Sequence, residues 1–443
     1  MDGELPTIAE IIETLTLRAG FNTNLVILGT TLLGFSSAII GVFALLRKRA
    51  LMTDALSHAT LPGIALAFLI AQELGFQGRS IPVLLVGATI SGVVGILCIQ
   101  LLLRHTRLRE DASIGIVLSV FFGAGIVALS YVQANAADGS AGLNAFIYGQ
   151  AATMRASDVY LMGSIALLAV LATLLLIKEF SLVCFNDTFA RVDGWPVGVV
   201  DLLMMALVVI VTVAGLQAVG LILVVAMLII PPVSARFWTE RVWKLVLIAG
   251  ILGAMSGYVG SVISALLPGK PAGSVIVLTS GAFFVLSMLL APSRGVIASS
   301  VRALRLRLRI AGDHALELSH DLNATTIPRD AFRELAHLRG WTPPFRWALL
   351  RSLVHDGSLV RVTDEGLVLS VDGVERGHRV ARNHLLWEQY LVSYADVAPS
   401  HVDWSVDQVE HVLSERLVAR LEQELTKQGV EIPPAPPPIG GAK

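Results

Sequence analysis

The sequence predicts an all-α polytopic membrane domain of about nine transmembrane helices, followed by a smaller soluble α+β domain. Three observations carry this. Hydrophobic residues make up 54% of the 443 positions and charged residues only 15%, whereas soluble domains carry about 25% charged residues. The charge is also unevenly spread. Before Pro292 the chain is about 10% charged, and after it about 25%, the soluble norm. Finally, the first part contains successive apolar stretches long enough to cross about 30 Å of hydrocarbon.

Those stretches are 24–46, 55–75, 81–103, 113–133, 158–178, 197–216, 218–235, 243–267 and 274–291. The run 197–235 is continuous in hydrophobicity and is divided between Gly215 and Gly220. Basic residues set the orientation. Alternate loops beginning with Arg47-Lys48-Arg49 hold 16 Lys and Arg, and the opposite loops hold 4 (Arg18, Arg79, Arg155 and Lys270). Nine spans then put the N-terminus outside and the soluble domain in the cytoplasm of a cell whose inner (plasma) membrane holds the rest. Residues 1–20 lack the apolar core of a signal peptide. Leu5, Ile8, Ile11, Ile12 and Leu15 recur at helical spacing, which suits a short helix at the membrane interface.

Several function classes drop out. A net charge of −1 argues against general nucleic-acid binding, and two cysteines, Cys98 and Cys184, exclude a disulfide framework. No Walker-type phosphate loop is present, because Gly269-Lys270 is followed by Pro271. Neither Ser nor Cys stands in a catalytic setting. The chain reads as no enzyme, with no tightly bound cofactor expected.

Ionisable residues inside spans point to function. Asp54 and His58 lie four apart, so a helix puts both on one face. A carboxylate and an imidazole suit Mn²⁺, Zn²⁺ or Fe²⁺, and a two-fold dimer would double two ligands to four. The alternative is a helix-start Asp beside a His satisfied by backbone. Pro62-Gly63 downstream can bend this helix. The charged loop Arg104 to Ile116 is either a partner-docking element or a topology-setting loop. Gln217 to Leu221 and Pro231-Pro232 read as packing and kink positions.

The soluble part divides further. Ile327–Ala336 and Phe345–His355 read as helices, the second opening at Thr342-Pro343-Pro344. Ser358–Arg361 and Gly366–Val371 read as strands. Helix, turn, helix and hairpin form a winged-helix pattern over 313–372. Helices over about 375–395 and 405–426 form a helical module, 373–428. The first carries His384 and Glu388, the second Asp407, Glu410 and His411. These five either converge on one ion of the Mn²⁺, Fe²⁺ or Zn²⁺ type or form a solvated polar helix pair. The Pro- and Gly-rich stretch 429–443 reads as a disordered tail. Between the domains, Ser293–Gly312 is basic, and its arginines either touch anionic membrane lipid or simply mark the cytoplasmic face.

Residues 24–300 of the 1–300 membrane domain resemble the permease subunits of bacterial manganese, zinc and iron ABC importers. The stretches RALMTDALSHATLPG (49–63), EDASIG (110–115), Phe189-Ala190-Arg191 and LQAVGLILVVAMLIIPP (216–232) carry the likeness. The resemblance implies a homodimer or a related second permease, a separate cytoplasmic ATPase subunit and an extracellular metal-binding protein. It further implies that Asp54 and His58 coordinate metal in the translocation path. Arg109, Glu110, Asp111, Ala112, Ser113, Ile114 and Gly115 would form the helix that couples to the ATPase. Residues 315–427 resemble metal-dependent repressors of the diphtheria-toxin-repressor type, through Arg382–Glu388 and Asp407–Ser414. That implies regulatory metal at the matched His and Glu positions, with Asp407 where the family has Cys or Glu. The oxygen and nitrogen donor set leans towards manganese. DNA is an unexpected partner, because residues 313–443 carry a net charge of −6. The expected function is therefore a divalent-metal importer permease with a fused cytoplasmic metal-sensing domain. The alternative is a membrane-anchored, metal-responsive transcription regulator.

Overall fold

The structure is a computed structural model and describes residues 7–47, 50–74, 81–135, 154–267, 270–394 and 415–427. The tail after Lys427 lies outside them. The chain separates into two compact units, Met1–Ser299 and Ser300–Lys443.

In the first unit a short helix α1 (Ile8–Leu15) precedes α2 (Phe21–Leu46), α3 (Ala50–Glu73), α4 (Ile81–His105), α5 (Glu110–Asn135) and α6 (Ala156–Phe185). The six-residue α7 (Asp187–Val192) is followed by α8 (Val197–Val219), α9 (Leu221–Arg236), α10 (Val242–Leu266) and α11 (Ala272–Leu290). Among the described residues, eight helices are long and apolar enough to cross a membrane, and α9 supplies a shorter apolar helix. At 16 residues, α9 is about 24 Å long, which accounts for the ninth stretch read from the sequence.

The break inside the run 197–235 falls at Gly220, whose φ of +85° ends α8 and opens α9. Only glycine adopts this conformation without steric cost. Gly215 has a different task, because a Cβ there would lie 2.5 Å from Val224 Cγ2. Pro231 and Pro232 do not end the span: both sit inside α9, which continues to Arg236.

Helix α2 is the spine of this unit. It meets α10 backbone to backbone, and a Cβ on Gly253 would lie 2.2 Å from the Gly34 carbonyl oxygen. One turn further, the Thr30 and Ser261 hydroxyls share a 2.7 Å hydrogen bond. Small residues of this kind let membrane helices approach closely, where burial of apolar surface no longer drives association. Phe43 of α2 packs edge-on against Phe180 of α6 at 5.1 Å. Helices α3, α4 and α5 form a second cluster, with Gly63 against Gly87 and Gly125 against Leu61 and Pro62.

The second unit begins within α12 (Val296–Asp321). It continues with β1 (Thr326–Pro328), α13 (Arg329–Leu338), α14 (Pro343–His355), β2 (Leu359–Val362), β3 (Gly366–Leu369), α15 (Val371–Tyr394) and α16 (Glu415–Lys427). The sheet is antiparallel with order β1-β3-β2. Leu316, Ile327, Phe332, Leu349, Leu353, Leu359 and Leu367 form its core. The hairpin and both helices of the winged-helix pattern are present. Ile327, read from the sequence as helical, instead lies in β1, paired with Leu367. Pro328 explains the shift: it holds its predecessor extended and starts the helix only at Arg329. Asp313 of α12 and Arg376 of α15 form a 2.8 Å ion pair in which Asp313 is buried.

Candidate metal centres

Asp54 and His58 lie on α3 with Oδ1 and Nε2 3.6 Å apart. Both are partly exposed. The Nδ1 atom of His58 is buried without a hydrogen-bond partner, and the ring meets Phe122 of α5 edge-on at 4.8 Å. Because α3 begins at Ala50, His58 stands about 12 Å along a helix of about 36 Å. The apolar span itself runs from Asp54 to Glu73, so Asp54 opens it and His58 lies one turn inside. Pro62, inside α3, lacks the N–H that would bond the His58 carbonyl. The Ser91 hydroxyl of α4 donates to the neighbouring Ala59 carbonyl at 2.6 Å, tying the two helices together beside that gap. Two donors per chain make half a coordination shell. Among the described residues no group of three or more His, Cys, Asp or Glu is arranged to hold a metal.

Glu110–Gly115 form the start of α5, with Arg109 immediately before it, and are not a separate helix. Glu110 and Asp111 lie in that first turn, where carboxylates suit the helix dipole. Ser113 and Ile114 are buried, while Arg109, Asp111, Ala112 and Gly115 are exposed. The separate short helix is α7, between two spans. Asn186 caps it by accepting from the Phe189 N–H at 2.9 Å. Ala190 is buried, whereas Phe189 and Val192 are exposed.

Sequence reasoning passed over Asp201. It is buried in α8 and accepts from Arg47 Nε at 3.1 Å, while Arg47 Nη1 donates to the Val183 carbonyl at 2.9 Å. The signal was available: a lone carboxylate within an apolar run needs a partner. This contact joins the end of α2, the end of α6 and the start of α8. Those are three points that the basic-residue rule assigns to the same membrane face.

In the soluble unit, His384 and Glu388 lie one turn apart on α15. Asp407, Glu410 and His411 lie outside the described residues. His384 instead faces α12, with Nδ1 3.9 Å from Glu317 Oε1. The other oxygen of Glu317 is 3.7 Å from His314 Nδ1. His314 and Glu317 were not singled out from the sequence. Their i, i+3 spacing on α12 was the usable signal.

Residues 22–291 match the family model described as ABC 3 transport family, and residues 370–429 match that of the iron dependent repressor, metal binding and dimerisation domain. The chain is 36% identical over 407 residues to the manganese transport system membrane protein MntC of Bacillus subtilis, covering 90% of this chain and 92% of that one. An alignment of that length cannot fit inside the membrane unit, so this relative has a counterpart to the soluble unit. The zinc transport system membrane protein TroC of Treponema pallidum is 41% identical over 283 residues, 64% of this chain and 93% of that one. A solved structure titled PsaBC from Streptococcus pneumoniae in complex with Fab matches with a TM-score of 0.56 at 28% identity, covering 65% of this chain and 98% of that chain. The chain belongs to the ABC 3 transport family, as an integral membrane transport subunit to which a repressor-type metal-binding and dimerisation domain is fused.

Proposed function

We propose that this protein is the permease of an importer for a divalent transition metal, with manganese as the favoured substrate and zinc and iron as alternatives. The observation that carries this is the Asp54–His58 half-site on one face of α3, in the first turn of its apolar span, in a chain related to manganese and zinc transport proteins. Two copies of the chain, or this chain and a related second permease, supply four ligands to one ion. Two weak ligands per subunit suit an ion that must leave as readily as it enters. A separate cytoplasmic ATPase provides the energy, and an extracellular metal-binding protein delivers the ion. The exposed residues of Arg109–Gly115 and the apolar surface of α7 together form the ATPase-facing contact. The basic start of α12 rests against anionic lipid.

The soluble unit acts as a cytoplasmic metal sensor that slows transport when internal metal is high. Its donor set comprises His384 and Glu388 with Asp407, Glu410 and His411, and Glu317 and His314 of α12 extend it. Uptake of radiolabelled manganese, in cells supplied with the partner subunits, tests the permease role. Loss of uptake in both Asp54→Ala and His58→Ala at normal membrane levels supports it, and wild-type uptake in either refutes it.

A further inference from the structure

We propose that the cavity between α12 and the α13–α14 turn binds a small organic anion, one with a planar body and a phosphate or carboxylate head. The cavity measures about 400 Å³, within the range of small-molecule sites. One face of α12 lines it, from Arg307 to His314, seven residues and two turns apart. Arg339 and Trp341 of the turn and Phe345 of α14 complete it.

Three features identify the ligand class. Two guanidinium groups border the cavity, and among the described residues no carboxylate lines it. Guanidinium forks match phosphate and carboxylate oxygens in pairs. Trp341 and Phe345, with ring centres 6.2 Å apart and planes tilted by 50°, offer apolar aromatic surface on which a planar body can rest against one ring.

The turn is also preformed. Gly340 has φ +66°, the Trp341 N–H donates to the Ala336 carbonyl at 2.8 Å, and the Gly340 N–H donates to the His337 carbonyl at 3.1 Å. This is a Schellman closure of α13. It fixes the backbone that carries Arg339 and Trp341, so binding orders side chains rather than the turn.

His314 bounds the cavity and also faces Glu317, whose other oxygen faces His384. Anion and metal therefore share a wall, and each affects the affinity of the other. This coupling rests on the sensing role proposed above, whereas anion binding does not.

Calorimetry on the full chain in detergent tests the site, with adenosine monophosphate as the probe. Adenosine and inorganic phosphate serve as body-only and head-only controls. The expected result is saturable binding of the monophosphate, with both controls at least tenfold weaker. Binding should also fall at least tenfold in Arg307→Gln/Arg339→Gln, two exposed positions, with thermal unfolding of the variant measured alongside to show that it is folded. No binding of the monophosphate, equal binding by either control, or full binding by the double variant overturns the proposal. Binding of a short DNA duplex in place of the monophosphate, lost in the same variant, overturns it in favour of nucleic acid. Separately, saturating Mn²⁺ should shift the monophosphate affinity in the native chain and shift it less in His314→Ala. An identical shift in both overturns the coupling alone.

Discussion

Arg47 Nε lies 3.1 Å from Asp201 Oδ1, and both side chains are mostly shielded, 14% and 9% exposed. The pair ties together the end of α2 and the start of α8, which the basic-residue rule puts on the cytoplasmic face, and through the Val183 carbonyl it holds α6 as well. Removing one member strands a charge away from water, at a cost of about 3–5 kcal/mol. Asp201→Ala should therefore lower the melting temperature markedly. Arg47→Ala/Asp201→Ala should lower it by less than the two single changes together. Thermal unfolding in detergent measures both, and strict additivity would contradict the pairing.

Gly220 makes the second prediction. Its φ of +85° is the hinge between α8 and α9. Gly220→Ala should destabilise by about 1 kcal/mol or more, because a Cβ strains this conformation. Ala214→Gly, on the same run within a regular helix, should cost about 1 kcal/mol by helix propensity alone and should leave the turn intact. Equal transport by native and Gly220→Val chains would show that the break is dispensable.

Much of this architecture was legible in the chain. Nine apolar stretches, their alternation and the winged-helix order all follow from hydrophobic length, basic-residue bias and punctuation by Pro and Gly. What was hidden depends on tertiary pairing. Asp201 looked like one stray carboxylate until Arg47, 154 positions away, came to meet it. Likewise Glu317 gained its significance only from His384 across the α12–α15 contact. Ile327 was misjudged because β1 is three residues long, too short for an alternating pattern to show. Asp54 and His58 were visible because both lie on one helix, one turn apart. Their depth was not visible, since α3 begins at Ala50, several residues before its apolar core.

The contact with the ATPase gives a third prediction. Phe189 and Val192 of α7 are exposed, while Ala190 is buried beneath them. Phe189→Ser/Val192→Ser should leave stability within about 0.5 kcal/mol, as for other surface changes, and should weaken ATPase co-purification. Asp111→Lys should act in the same direction. Undiminished ATPase association in all of these variants would place the contact elsewhere.

The sensing role gives a fourth. Glu317 faces both His314 and His384, so Glu317→Ala should weaken metal binding by the soluble unit at least tenfold. His384→Ala/His411→Ala should do the same and should relieve inhibition of uptake at high internal metal. Metal titration of the full chain in an Asp54→Ala background isolates this binding from the translocation path. Unchanged stoichiometry and affinity in both variants would argue against a sensor.

The central claim is that metal crosses the membrane through Asp54 and His58. Radiolabelled manganese uptake in cells carrying the partner subunits tests it most directly, with Asp54→Ala and His58→Ala compared at equal membrane abundance. The predicted result is a loss of at least tenfold in each variant, with ATPase association retained. Uptake at the native rate in either variant would contradict the account.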